Sequence, residues 1–139
     1  MAVKWRFLDY ETRGGLIPVK AWEDGAPVAA QAAFTTTVRH LSVTELWTIQ
    51  DGAKVLTGAH APLTELLIDI DEWAARAAKG RKRRFRPVGF KDESARAFIF
   101  FGGCEKIGGV LDPLETFNDA LRFWDEWKRG MGKVHERDL

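Results

Sequence analysis

The sequence predicts an α+β fold: a small, mostly antiparallel sheet with two N-terminal helices and a C-terminal helix. Three observations carry this. Strand-like segments occur near the N-terminus and again in the second half of the chain. Two helical stretches separate them, and a strongly marked helix closes the order β, α, α, β, β, β, α, which does not alternate as parallel βαβ units would. The 139 residues, 45% hydrophobic and 29% charged, with six Trp and nine Phe, suffice for one well-built core and argue against disorder.

The elements follow in order. Residues 4–10, KWRFLDY, alternate around Trp5, Phe7 and Asp9 and read as a first strand. After the ETRGG turn, IPVKAWEDG offers Pro18 at a helix start and Gly25 as its stop. A second helix is expected from Pro27 to about Leu41, with Val28, Gln31/Ala32, Thr35, Val38 and Leu41 as its apolar stripe. Ser42 and Glu45 have capping-box spacing and predict one further short turn.

LTELLIDIDEW is the clearest strand, with Leu66, Ile68 and Ile70 on one face and Glu65, Leu67, Asp69 and Asp71 on the other. RFRPVGF is a second candidate, where Pro87 and Gly89 suit an edge or a bulge. ARAFIFFGGC, apolar on both faces, predicts a strand covered on both sides. In LDPLETFNDALRFWDEWKRG, Asp112 is the expected cap, Pro113 the first helical residue and Gly130 the stop. Leu114, Phe117, Leu121 and Trp124 keep its apolar spacing, and residues 131–139 are expected to form a short flexible tail of a single domain, 1–139.

The net charge of +1 conceals a strong asymmetry. Between Ala74 and Lys106 stand ten Lys or Arg against Asp92, Glu93 and Glu105, giving +7, while the remainder carries −6. Five of these cations fall within six positions of KGRKRRFRPVGF, and such a local field attracts polyanions. The N-terminus lacks a signal peptide's apolar segment, no apolar run approaches the roughly 20 residues that span a bilayer, and Cys104 has no partner for a disulfide. A cytoplasmic protein is expected, with no membrane partner.

The element order, with four local strings, resembles the RelE/HigB family of bacterial toxins, in particular the phage-derived Gp49-like branch. The strings are FLDYETRGGLIPVKAWEDG, LTGAHAPLTELLIDI, RFRPVGF and FIFFGGCEKIGGVLDPLETFNDALRFWDEWKRG. The resemblance implies the toxin of a type II toxin–antitoxin pair, cleaving mRNA, on the ribosome or free, and neutralised by a small antitoxin. It implies metal-independent acid–base chemistry with attack by the RNA's own 2′-OH, which needs cations around the phosphate and groups that accept and return a proton. Arg86 falls on the family's phosphate-binding arginine and Lys106 on the basic position after the last strand. The match is incomplete: Leu67 stands where an arginine is common, and Phe117 where several members place a tyrosine. The alternative is a non-catalytic module of the same fold that binds RNA or a protein.

Candidate RNA contacts are Lys82, Arg83, Arg84 and Arg86, with Arg86, Lys106 and His135 as candidate catalytic groups. The competing structural reading pairs Arg84 and Arg86 across strands with Asp69 and Asp71. The plainer reading of His135, and the one its place favours, is a solvated tail residue; His40 reads as a cation at a helix end, and His60 as a loop residue near the cleft mouth. Glu65, Asp69 or Asp71 would serve as a base if buried; otherwise they form the wet face of a strand. GRKRR alone also matches a nuclear-localisation pattern. Cys104 reads as a small core residue, and Phe123, Trp124 and Trp127 as core or as surface covered by an antitoxin. GGCEKIGG lacks the ending of a nucleotide-binding loop and no Cys/His cluster has metal-ligand spacing, so no cofactor is expected.

Overall fold

The structure, a computed structural model, describes residues 4–72 and 81–139, with side chains described for 4–71 and 82–139. Its elements are β1 (Arg6–Glu11), α1 (Pro18–Gly25), α2 (Val28–Ser42), β2 (Ala53–Val55), β3 (Thr64–Leu66), β4 (Ile68–Glu72) and β5 (Arg81–Phe85). They continue as β6 (Val88–Asp92), β7 (Ala97–Gly102), β8 (Glu105–Ile107), β9 (Val110–Asp112), α3 (Thr116–Lys128) and β10 (Lys133–Glu136). The fold is α+β. In place of one small sheet there are two, ordered β10-β1-β7-β6-β3-β2 and β4-β5-β8-β9. Only β1 and β7 pair in parallel; the other pairs are antiparallel.

The second sheet arises because three segments expected as continuous strands change sheet at one level. LTELLIDIDEW does so at Leu67, RFRPVGF at Arg86–Pro87, and the apolar ARAFIFFGGC at its end, Gly103–Cys104. The register runs through the bend: Glu65 stands opposite Val88, and Ile68 opposite Phe85. Proline has no N–H for a ladder and fixes φ, so Pro87 breaks the strand. The bend is nonetheless bonded, from Leu66 N–H to Pro87 C=O at 2.8 Å and between Arg86 and Cys104 at 2.7 and 3.3 Å.

The core has two layers. Phe7, Phe98 and Phe100 pack with Val19 of α1, Phe34, Val38 and Leu41 of α2, and Ile68 and Phe85 of the second sheet. On the opposite face Ile99, Phe101 and Val88 pack against Phe117, Ala120 and Phe123 of α3. All six residues of β7 are buried, consistent with a strand covered on both sides. Gly89 sits where a Cβ would strike the Ile99 carbonyl, so β6 and β7 approach too closely there for a side chain.

Several expectations shift. The buried stripe of α2 is Ala30, Phe34, Val38 and Leu41, because the large Phe34 seeks the core and leaves Val28 exposed. Ser42 is the last residue of α2, and the capping box forms instead between Thr48 and Asp51. Asp112 pairs with Glu105 in the β8–β9 ladder, so it cannot cap α3, which begins at Thr116 and leaves Leu114 exposed outside the helix. Residues 133–136, expected as tail, form β10 along β1.

Ion pairs add to the backbone ladder that joins β10 to β1. Arg6 bonds Glu136 at 2.9 Å, and Glu11 accepts from His135 at 3.0 Å and Lys133 at 3.4 Å. Just beyond it, Arg137 bridges Asp9 at 3.2 Å and Glu23 at 2.6 Å, over the Phe34 ring. Burial raises the Asp9 carboxyl above its usual range, against the lowering by Arg137 and Lys20.

Candidate nucleic-acid interface

The basic segment enters the second sheet as β5, between β4 and β8. Alternation turns Phe85 toward α1 and α2, and sends Lys82 and Arg84 to the opposite face. In the first sheet that opposite face lies under α3. In the second it carries Asp69, Asp71, Lys82, Arg84 and Lys106, none of them buried. Across the ladder Asp71 stands opposite Lys82, Asp69 opposite Arg84, and Arg84 opposite Lys106.

The ten cations of the basic segment divide by what holds them. Arg83 lies on the helix side, bonds Glu105 at 2.7 and 2.8 Å and stacks over Phe85. Lys91 lies 4.4 and 4.5 Å from the centres of the Trp5 and Trp47 rings, and Arg96 is paired with Glu45 at 2.7 Å. Arg86 donates to Asp69 at 2.9 Å and to the Phe85 carbonyl at 2.8 Å, its side chain only 8% exposed. Lys82, Arg84 and Lys106 make no ion pair among the described residues. They line one surface pocket of about 340 Å³ with Glu105, Ile107 and Gly108. Arg76 and Lys79, and the side chain of Arg81, lie outside the described residues.

The predicted site residues therefore separate. Lys82, Arg84 and Lys106 come together. Arg83 faces the other side, and its Glu105 partner is a contact 22 residues away that no local pattern announces. Arg86 is committed to Asp69, the cross-strand reading of this arginine. His135 is on β10, the edge of the other sheet, bonded to Glu11. Lys82 and Arg83, which precede the expected strand RFRPVGF, are themselves strand residues of β5.

The other titratable candidates are placed as follows. His40 bonds Asp51 at 2.9 Å, and His60 bonds Asn118 at 2.9 Å beside Phe117. Burial pushes the Cys104 thiol up to about 11, which makes it an inert core group. Glu65 is 5% exposed and has no hydrogen bond or ion pair among the described residues, on the same face as Leu67 and Asp69. Among the described residues no group of three or more His, Cys, Asp or Glu is placed to hold a metal, and no helix is long and apolar enough to cross a membrane.

Comparison with protein-family models, curated proteins and solved structures yields no match. The likeness to RelE/HigB toxins thus rests on the sequence strings and element order.

Proposed function

We propose that this protein binds RNA through the outer face of its second sheet, as a non-catalytic relative of the RelE/HigB toxins. One observation carries the reading: Arg84 and Lys106 stand opposite each other, with Lys82 beside them and no carboxylate bound to any of the three. Like charges directly opposite destabilise a sheet, so an arrangement that keeps them together fits a polyanionic ligand that neutralises them. The chemistry for cleavage is not assembled beside them. Leu67 and Phe117 cannot exchange a proton, Arg86 is occupied by Asp69, and His135 lies on the other sheet.

A second reading, the mRNA endoribonuclease with a neutralising antitoxin and a ribosomal site of action, is favoured by Glu65, a largely buried residue on this same face whose carboxylate makes no ion pair among the described residues. Binding of labelled RNA over a salt series tests the first reading. The affinity should fall steeply with salt, and Arg84→Ala/Lys106→Ala should flatten that slope. Wild-type affinity that is absent, or insensitive to salt, would reject it.

A further inference from the structure

The edge of β7 and β8 that faces away from β5 and β6 has a gap. β1 pairs with β7 only as far as Phe100, and β9 pairs with β8 only from Glu105. Both lie on the same side of the bent ribbon, so Phe101 to Cys104 have no strand beside them there. Arg86 and Cys104 exchange both backbone hydrogen bonds, at 2.7 and 3.3 Å. In an antiparallel pair the residue next to such a position turns its N–H and C=O to the other side. That residue is Gly103. It is buried, and neither its N–H nor its C=O finds a hydrogen-bond partner among the described residues. Buried backbone groups are almost always paired, with protein, water or a ligand, so the Gly103 donor and acceptor are available to whatever occupies the space beside them.

The gap opens into a pocket of about 440 Å³, walled by Leu16, Trp22, Phe101, Pro113 and Phe123 as well as Gly103. The Trp22 ring lies so close that a Cβ on Gly103 would come within 2.5 Å of it. The site therefore offers flat apolar walls and one adjacent donor–acceptor pair, with Thr116, Asp119 and Arg122 completing its lining on the α3 side. A partner strand needs a row of such pairs, and β1 on one side and β9 on the other leave room for a single one. A purely apolar ligand would leave the Gly103 peptide unpaired. A flat ring whose edge carries an acceptor next to a donor satisfies both requirements, and nucleobases have such edges and stackable faces. Lys106 follows Gly103 by three residues, roughly 10 Å of extended chain, so phosphates on the cationic face and a base in the gap lie within reach of one strand.

We infer that this pocket receives one unpaired nucleobase of the bound RNA, its edge on the Gly103 peptide and its ring against the Trp22 wall. The inference rests on the reading of the second sheet as an RNA-binding face and adds that single-stranded RNA is the substrate class.

The test compares a short single-stranded oligoribonucleotide with an abasic strand of equal length, binding to the whole chain. The base-bearing strand should bind about tenfold or more tightly. Ala21→Phe, a filler from an exposed position on the pocket wall, should remove that difference and leave abasic binding unchanged. Leu16→Trp, another filler from an exposed lining position, repeats the test on an independent background. Equal affinity for both strands, or fillers that weaken both alike, would overturn the pocket while leaving the cationic face standing. If neither strand binds, the RNA reading fails, and the pocket is judged with free nucleosides by the Gly103 amide resonance. A shift with nucleosides supports a base site. No shift, or a shift only with a capped dipeptide amide, overturns it.

Discussion

Arg84 and Lys106 face each other across β5 and β8, two cations in register that make no ion pair among the described residues, with Asp69 opposite Arg84 on its other side. A single substitution here should move stability and binding in opposite directions. Lys106→Glu would place a carboxylate opposite Arg84 and should stabilise the fold by about 0.5 kcal/mol, within the range for cross-strand charge pairs. The same change reverses one charge on the proposed phosphate track, so RNA affinity should fall and its salt slope should flatten. Urea unfolding read beside fluorescence anisotropy separates the two effects. A variant that is more stable and binds RNA as the wild type does would remove Lys106 from the interface.

Asp69 holds Arg86 at 2.9 Å, and the two sides of that pair differ in exposure, 8% for the arginine side chain and 39% for the aspartate. Asp69→Asn should therefore cost stability chiefly through Arg86, which loses its charged acceptor while nearly buried, by about 1–3 kcal/mol. The face also loses a negative charge opposite Arg84, so RNA should bind more tightly. Loss of stability with no gain in affinity would show that Asp69 and Arg86 brace the bend without bearing on the ligand.

Much of this architecture is legible from local sequence. Pro18, the apolar run of β7 and the spacing of Phe117 and Leu121 in α3 declare their elements through propensity and pattern. The doubling of the sheet is not legible, because alternation continues unbroken through Leu67 while the strand bends there. Pro87 marks the interruption without saying that three strands turn together. Composition identifies the basic segment, but not the residues that neutralise it. Glu105 lies 22 residues from Arg83, and Asp69 lies 17 from Arg86. The charged clasp of Arg137 on Asp9 spans 128 positions, which is why the C-terminal segment reads as a tail.

That clasp gives a pH prediction with a definite sign. Hydrogen bonds from their partners hold four carboxyls below their usual range: Glu11 through His135, Glu45 through Arg96, Asp51 through His40 and Glu136 through Arg6. Each contributes stability that is present above its unfolded pKa, near 4, and is lost as pH falls through its folded value. Asp9 is displaced the other way by burial, so the folded state binds its proton more tightly than the unfolded chain does. Acid therefore favours the fold through Asp9 and partly offsets the loss from the other four. In Asp9→Asn that offset disappears. The variant keeps an amide oxygen to accept from Arg137 but no longer titrates, so it should lose stability more steeply than the wild type between about pH 5 and 3. Urea midpoints over this range give the slopes; parallel slopes would show that Asp9 does not titrate differently in the folded state.

Glu65 decides between binding and cleavage. Glu65 is 5% exposed as a residue and makes no ion pair among the described residues, while its carboxylate oxygens are not sealed from solvent. If the protein only binds RNA, Glu65→Gln removes the charge without functional loss. It should unfold at much the same urea concentration, bind RNA with unchanged affinity and leave bacterial growth on induction as the wild type leaves it, with no RNA cleaved by either protein. If Glu65 moves a proton, the wild type cleaves RNA, and the variant loses about 10²–10⁴ of that rate while still binding. Gel analysis of end-labelled RNA incubated with each protein, alone and with ribosomes, distinguishes the two outcomes. Cleavage that disappears in Glu65→Gln would replace the binding reading with the nuclease one.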